Sequence, residues 1–288
     1  MSGMSASRPV AVALAALSLS LLSLCPPSAI AACAGASAPV AAGRSVYLED
    51  LTWMELRDAV RAGKTTAIIP IGGTEQSGPA IVLGKHNARV HWLSGRIAQQ
   101  LGNALVAPVV AYVPEGSTEP PTSHMRFPGT ITIPPAAFDA TLTSIADSLR
   151  IHGFRTIVFL GDHGGYQKDV ARLARRLNRK WAPGTRVLAP PEYFHASFEG
   201  FAHILRARGY RADELGTHAG LLDTSLSLAV DPALVRTDLL HAKGVPFDTA
   251  HGVYHGDPRR ATAALGRLGL DEIVRKTVAA IRAQDKTP

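Results

Sequence analysis

The chain of 288 residues is short of cysteine, with only Cys25 and Cys33. Cys25 falls in a segment expected to be removed on export, so the exported domain keeps at most Cys33 and no internal disulfide, and packing has to stabilise it. An apolar run of about 20 residues, the length of a transmembrane helix, is also missing. The run at 10–24 falls short of it, follows Arg8, and leads into Pro26, Pro27 and the small residues 29–33, the order of a secretory signal peptide. No basic groove interleaved with aromatics and no reader motif is present, which excludes nucleic acid as a partner. The formal net charge of +7 becomes +6 once Arg8 leaves with the signal. Much of that excess lies on one helix over 168–180, where Arg172, Arg175, Arg176 and Arg179 have the spacing of a solvated face. No internal repeat is visible.

What is present suffices for one large domain with a sizeable core. The expected division is a signal peptide at 1–31, a flexible linker of small residues at 32–45 and a catalytic domain at 46–288. Cleavage after Ala31 would release a periplasmic or secreted protein. The alternative is a lipoprotein box ending at Cys33, which would acylate that residue and bring the membrane in as a partner. Within the domain, strands alternate with helices. Thr52 and Glu55 form a capping-box pattern at the start of a helix over 51–62. Strands are expected at 66–71, 104–113, 156–160 and 186–188, with helices over 87–101, 138–152 and 168–180. Such alternation predicts an α/β fold, a three-layer α/β/α sandwich around a mostly parallel sheet. The aromatics of 192–210, Tyr193, Phe194, Phe198 and Phe201, read as helix packing into the core rather than as the wall of a pocket.

Chemistry-bearing residues gather just after the apolar strands. Glu75 and His86 lie in the Gly-rich stretch that leaves strand 66–71, and His163 leaves strand 156–160. His218 and Asp223 flank the start of a later helix. The carboxyl ends of parallel strands open into the crevice where such sheets bind ligands. His, Glu and Asp there are the ligands of zinc, manganese or iron. The long polar loop 115–128, carrying Glu115, Glu119, Ser123, His124 and Arg126, has the length of a functional loop.

Five motifs follow in order: Gly-Gly-Thr-Glu-Gln at 72–76 with Gly78 and Pro79; His-Met-Arg-Phe-Pro-Gly-Thr at 124–130; Gly-Asp-His-Gly-Gly at 161–165; Thr-His-Ala-Gly at 217–220 with Asp-Thr-Ser at 223–225; and Gly-Asp-Pro at 256–258 with Ala-Thr-Ala at 261–263. Together, over 51–266, they resemble the creatininase (creatinine amidohydrolase) family. The resemblance implies a hydrolase in which two divalent ions activate water against an amide carbonyl. Glu75 and His163 match family ligands. Ser77 stands where the family has a His, His86 where it has a bridging Asp, and Gly165 where creatininase has a Glu. Asp162 and Tyr166 each replace an Asn.

The expectation is therefore a single ion per chain, zinc before manganese or iron, on Glu75, His86 and His163 with Asp223 as a further carboxylate. His218 is the expected catalytic group, protonating the leaving nitrogen. Ser77, Asp162, His124 and Tyr166 are expected to touch substrate or steady the ligands. For Asp162 two roles stay open, orienting His163 or capping the next helix. The substrate implied is a small amide or cyclic amide with a non-peptide C–N bond, other than creatinine. The alternatives are an inactive small-molecule binding protein on the same fold and a lactone or ester hydrolase. The family resemblance also implies a homo-oligomer, a hexamer.

Overall fold

A computed structural model describes residues 45–285. The signal peptide, Cys33 and nearly all of the linker lie outside the described residues. Helix α1 (Trp53–Arg61) begins with the expected box: Thr52 Oγ1 accepts from the Glu55 N–H, and Glu55 Oε2 accepts from the Thr52 N–H at 2.7 Å. Strand β1 (Thr66–Ile71) follows, then a long loop and helix α2 (Lys85–Leu101). Strand β2 is only Ala104–Val106, shorter than the 104–113 expected. Pro108 has no N–H to offer a ladder, and beyond it the chain returns to sheet pairing only at isolated bridges from Val110 to Ile71 and Val113 to Thr132. Helix α3 (Pro135–Ile151), strand β3 (Thr156–Gly161), helix α4 (Gln167–Trp181) and strand β4 (Arg186–Leu188) complete the alternation.

The four strands are parallel in the order β2-β1-β3-β4, with β1 and β3 central and buried along their whole length. Because side chains alternate across a strand, each central strand feeds two cores. Ile68, Val158 and Leu160 pack with α2 and later helices, while Ile69, Ile71, Ile157 and Phe159 pack with α3 and α4. The result is a three-layer α/β/α sandwich.

After the sheet, α5 (Glu192–His195), a π-helical turn at Ala196–Gly200 and α6 (Phe201–Arg206) run on without a break. Tyr193 and Phe201 are buried in the core, as their spacing suggests. A short helix α7 (Ala212–Leu215) leads to β5 (Gly216–His218), which pairs antiparallel with β6 (Tyr254–Gly256), His218 opposite Tyr254. Helix α8 (Leu221–Val230), helix α9 (Thr237–His241) and the long α10 (Ala263–Asp285) close the same side as α2. Among the described residues no helix is long and apolar enough to cross a membrane.

Candidate metal centre

Three loops at the carboxyl edge of the sheet, together with the β5–β6 pair and the first turns of α2 and α8, carry the chemistry. Glu75, in the loop after β1, is completely buried. Its two oxygens meet different surroundings. Oε1 lies 2.7 Å from His86 Nε2, 3.4 Å from Lys85 Nζ and 3.5 Å from His218 Nδ1. Oε2 lies 3.2 Å from both His124 Nε2 and His163 Nε2, yet has no aligned hydrogen-bond partner. Burial opposes ionisation of Glu75, but Lys85 first and then the neighbouring His86 and His163 outweigh it and hold the carboxyl well below its usual range.

Glu115 stands on the other side of His163, with Oε2 3.5 Å from Nε2. Neither of its oxygens has a hydrogen-bond partner. Burial first, and then the neighbouring Glu75, push its carboxyl up to about 9. Gly73 makes room for this approach: a Cβ there would sit 2.7 Å from Glu115 Oε1, and its φ of 150° suits glycine. At Gly165 a Cβ would meet the His163 ring at 2.8 Å.

Two groups of potential ligands thus share Glu75. Glu75, Glu115 and His163 form one, Glu75, His124 and His218 the other, each with ligand atoms within 4.8 Å of one another. In the second group Gln76 joins the imidazoles, with Nε2 3.0 Å from His124 Nδ1 and 3.1 Å from His218 Nε2. The Gln76 amide is oriented by Gly78 N–H, which donates to its Oε1 at 2.9 Å. Burial, and next Lys85, lower His218 to about 3, so this imidazole is neutral at ordinary pH. His124 is lowered too, again mainly by burial.

The structure places two expected ligands elsewhere. Asp223 accepts from Lys85 Nζ at 3.1 Å, Arg89 Nη1 at 2.9 Å and the Ala219 N–H at 2.9 Å, so both its oxygens are engaged and it lies outside both ligand groups. Lys85 and Arg89 overcome its burial and hold it well below the usual carboxylate range. His86 points one ring nitrogen at Glu75 and the other at Asp162 Oδ2, 2.6 Å away, and it too stands outside the groups. Asp162 also departs from both roles considered for it. It accepts from Arg89 Nε at 2.8 Å and Tyr193 Oη at 2.7 Å and serves His86 rather than His163. Helix α4 starts behind Tyr166 with no side-chain cap. Burial would raise Asp162, but Arg89 and His86 bring it down to about 2.

Tyr166 acts on backbone. Its hydroxyl lies 2.7 Å from the carbonyls of Ile71 and Gly72 and accepts from the N–H groups of Asp162 and His163 at 3.1 Å. Ser77 is buried, with Oγ 3.5 Å from the Glu75 carbonyl, and meets no ligand group. It lines, with Gln76, Pro79, Leu83, Phe127 and Pro128, an open groove of about 420 Å³. Sequence reasoning placed Glu115 only among the polar residues of its loop. The available signal was its position after Val113-Pro114, at the end of an apolar stretch like Glu75 and His163.

The donor chemistry fits a divalent ion. Three carboxylate oxygens, Glu75 Oε2 and both of Glu115, are buried without a partner beside an imidazole nitrogen. Leaving such groups unpaired is costly, and a cation among them removes the cost. Fold and site together define an α/β protein with a metal-ligand set at the carboxyl edge of a parallel sheet. The chain belongs to the creatininase family, whose model, described as creatinine amidohydrolase, matches residues 49–281. It is 26% identical over 226 residues to the creatinine amidohydrolase of Pseudomonas putida, covering 76% of this chain and 85% of that protein. It is 29% identical over 230 residues to the mycofactocin precursor peptide peptidase of Mycolicibacterium smegmatis, covering 72% and 80%. A solved creatininase variant of Zn-Zn type shares the fold, with TM-score 0.65 and 24% identity over 85% of this chain and 100% of its own.

Proposed function

We propose that the chain is a metal-dependent amidohydrolase holding one divalent ion, zinc, on Glu75, Glu115 and His163. The observation that carries this is the convergence of Glu75 Oε2 and Glu115 Oε2, neither with an aligned partner, on His163 Nε2 at 3.2 and 3.5 Å. Mixed oxygen and nitrogen donors suit zinc, which when bound polarises a carbonyl and acidifies water. To hold an ion through Nε2, His163 would carry its proton on Nδ1 and give up the long 3.3 Å contact from the Gly165 N–H. His218, whose Nδ1 lies 3.5 Å from Glu75 Oε1, would protonate the leaving nitrogen. Gln76 holds His218 and His124 together and reaches the groove, through which a small amide enters. His86, Asp162 and Tyr193 steady Glu75 from below.

The substrate of this reading is a small non-peptide amide or cyclic amide. The peptide peptidase among the relatives makes short peptides the comparison arm. The test is elemental analysis of protein purified without chelator, beside Glu75→Ala and Glu115→Ala, followed by an amide, lactone and peptide panel with and without chelator. About one zinc per chain, lost in both variants, with chelator-sensitive amide turnover supports the reading. An ion-free wild type overturns it.

Export through the segment 1–31 and a hexameric assembly belong to the same proposal. Mass spectrometry of the mature N-terminus, reading cleavage after Ala31 or an acylated Cys33, and the native mass in solution test them.

A further inference from the structure

Lys85 is the first residue of α2 and is completely buried. That is a poor place for a cation twice over, since the ammonium is out of water and sits at the positive end of a helix dipole. Its partners explain its presence. The ammonium donates to Asp223 Oδ2 at 3.1 Å and lies 3.4 Å from Glu75 Oε1. The two oxygens of Glu75 thus differ: Oε1 faces the Lys85 ammonium, His86 and His218, whereas Oε2 faces only the imidazoles of His124 and His163, with no aligned hydrogen bond.

We propose that Lys85 is a built-in cation standing in for a second metal ion, and that its fixed charge sets this centre to accept a single divalent ion. The charges of the buried cluster agree. Glu75, Glu115, Asp162 and Asp223 are four carboxylates, and Lys85 and Arg89 are two cations, all buried. Carboxylates outnumber fixed cations in this cluster, and a single bound cation reduces the excess. A second ion on the Oε1 side would share that oxygen with the Lys85 ammonium, 3.4 Å from it, and be repelled by its charge. The solved relative of Zn-Zn type holds two zincs by its name, so the substitution of a lysine for an ion would distinguish this chain within its family.

The inference rests on the ion-binding reading above, and its test separates the two. Zinc is removed from the full-length protein and titrated back by calorimetry in wild type, Lys85→Met, Asp223→Asn and the double variant. With a centre tuned by fixed charge, wild type takes one equivalent, Lys85→Met binds at least about tenfold tighter or takes a second equivalent, Asp223→Asn binds about tenfold weaker, and the double variant returns near wild type. Should Lys85→Met not fold, the comparison of Asp223→Asn with the charge-neutral double variant decides, the double having to bind tighter. Zinc affinity unchanged or weakened by loss of Lys85, with wild type binding one ion, overturns the inference alone. No zinc on wild type overturns the ion-binding reading and this inference with it.

Discussion

Glu115 holds a proton in the ion-free protein that a metal ion must displace. Its carboxyl is raised to about 9 because it is buried and beside Glu75. The sign follows from linkage. The folded state binds that proton more tightly than the unfolded chain, so its contribution to stability is complete below the ordinary carboxylate range and is lost as pH rises towards about 9. Zinc affinity should therefore increase with pH over that window, and ion uptake should release a proton. Calorimetry in two buffers of different ionisation enthalpy measures that release, which Glu115→Gln should abolish while weakening zinc binding by about 10- to 100-fold, in the range of lost ligands and their supports. Arg89 belongs at this scale too. It is buried between Asp162 and Asp223, donating to both, and both carboxylates depend on it to stay ionised. Arg89→Leu should cost about 3–5 kcal/mol in denaturant unfolding, because it strands buried charges. A loss under about 1 kcal/mol would show that water reaches the cluster.

Between elements, the loops after β1 and β3 are tied by one hydroxyl. Tyr166 Oη bridges the carbonyls of Ile71 and Gly72 and the N–H groups of Asp162 and His163, so it fixes the distance between the loop bearing Glu75 and the one bearing His163. Tyr166→Phe leaves the Gly72 carbonyl and the His163 N–H to find other partners, while Asp162 N–H and the Ile71 carbonyl keep each other, and should destabilise by about 1–3 kcal/mol. It should also weaken zinc binding although Tyr166 touches no ion; a variant with lowered melting temperature but unchanged zinc affinity would limit Tyr166 to stability. A second inter-element contact is closer still. Helices α8 and α10 meet where Gly266 faces Ser225, and a Cβ at 266 would collide with the Ser225 carbonyl oxygen. Gly266→Ala should push α10 from α8 and cost about 1–3 kcal/mol, read as a lower unfolding midpoint.

For the whole molecule, an ion held by Glu75, Glu115 and His163 would link the loops that follow β1, β2 and β3 and so stabilise the fold by mass action. At free zinc of about 100 times the dissociation constant, the gain is about 2.7 kcal/mol. For a domain of this size that corresponds to about 5–10 °C, from the usual slope of melting temperature against free energy. Stripping with chelator should lower the melting temperature by that amount and zinc should restore it, whereas Glu75→Ala and Glu115→Ala should show no response. The absence of any zinc-dependent shift in wild type would count against an ion bridging these loops.

Much of the architecture could be read from local pattern. Thr52 and Glu55 capped a helix, fully apolar runs at 66–71 and 156–160 became central parallel strands, and Glu75 and His163 stood at their ends, because strand burial and capping depend on near neighbours. The family membership was legible for the same reason, in motifs a few residues long. Pairing across the cluster was not. Whether a carboxylate meets an ion, an arginine or a lysine depends on residues far away in sequence: Asp223 was engaged by Lys85 and Arg89, 138 and 134 residues distant, and His86 by Asp162, 76 residues distant. Glu115 reached His163 only because the chain beyond β2 bent at Pro108 and returned beside β1 at Val110. The sequence alone determined which residue types stood at the edge of the sheet. Tertiary structure decided their partners, because charge compensation in a buried cluster is a property of distances that no local spacing encodes.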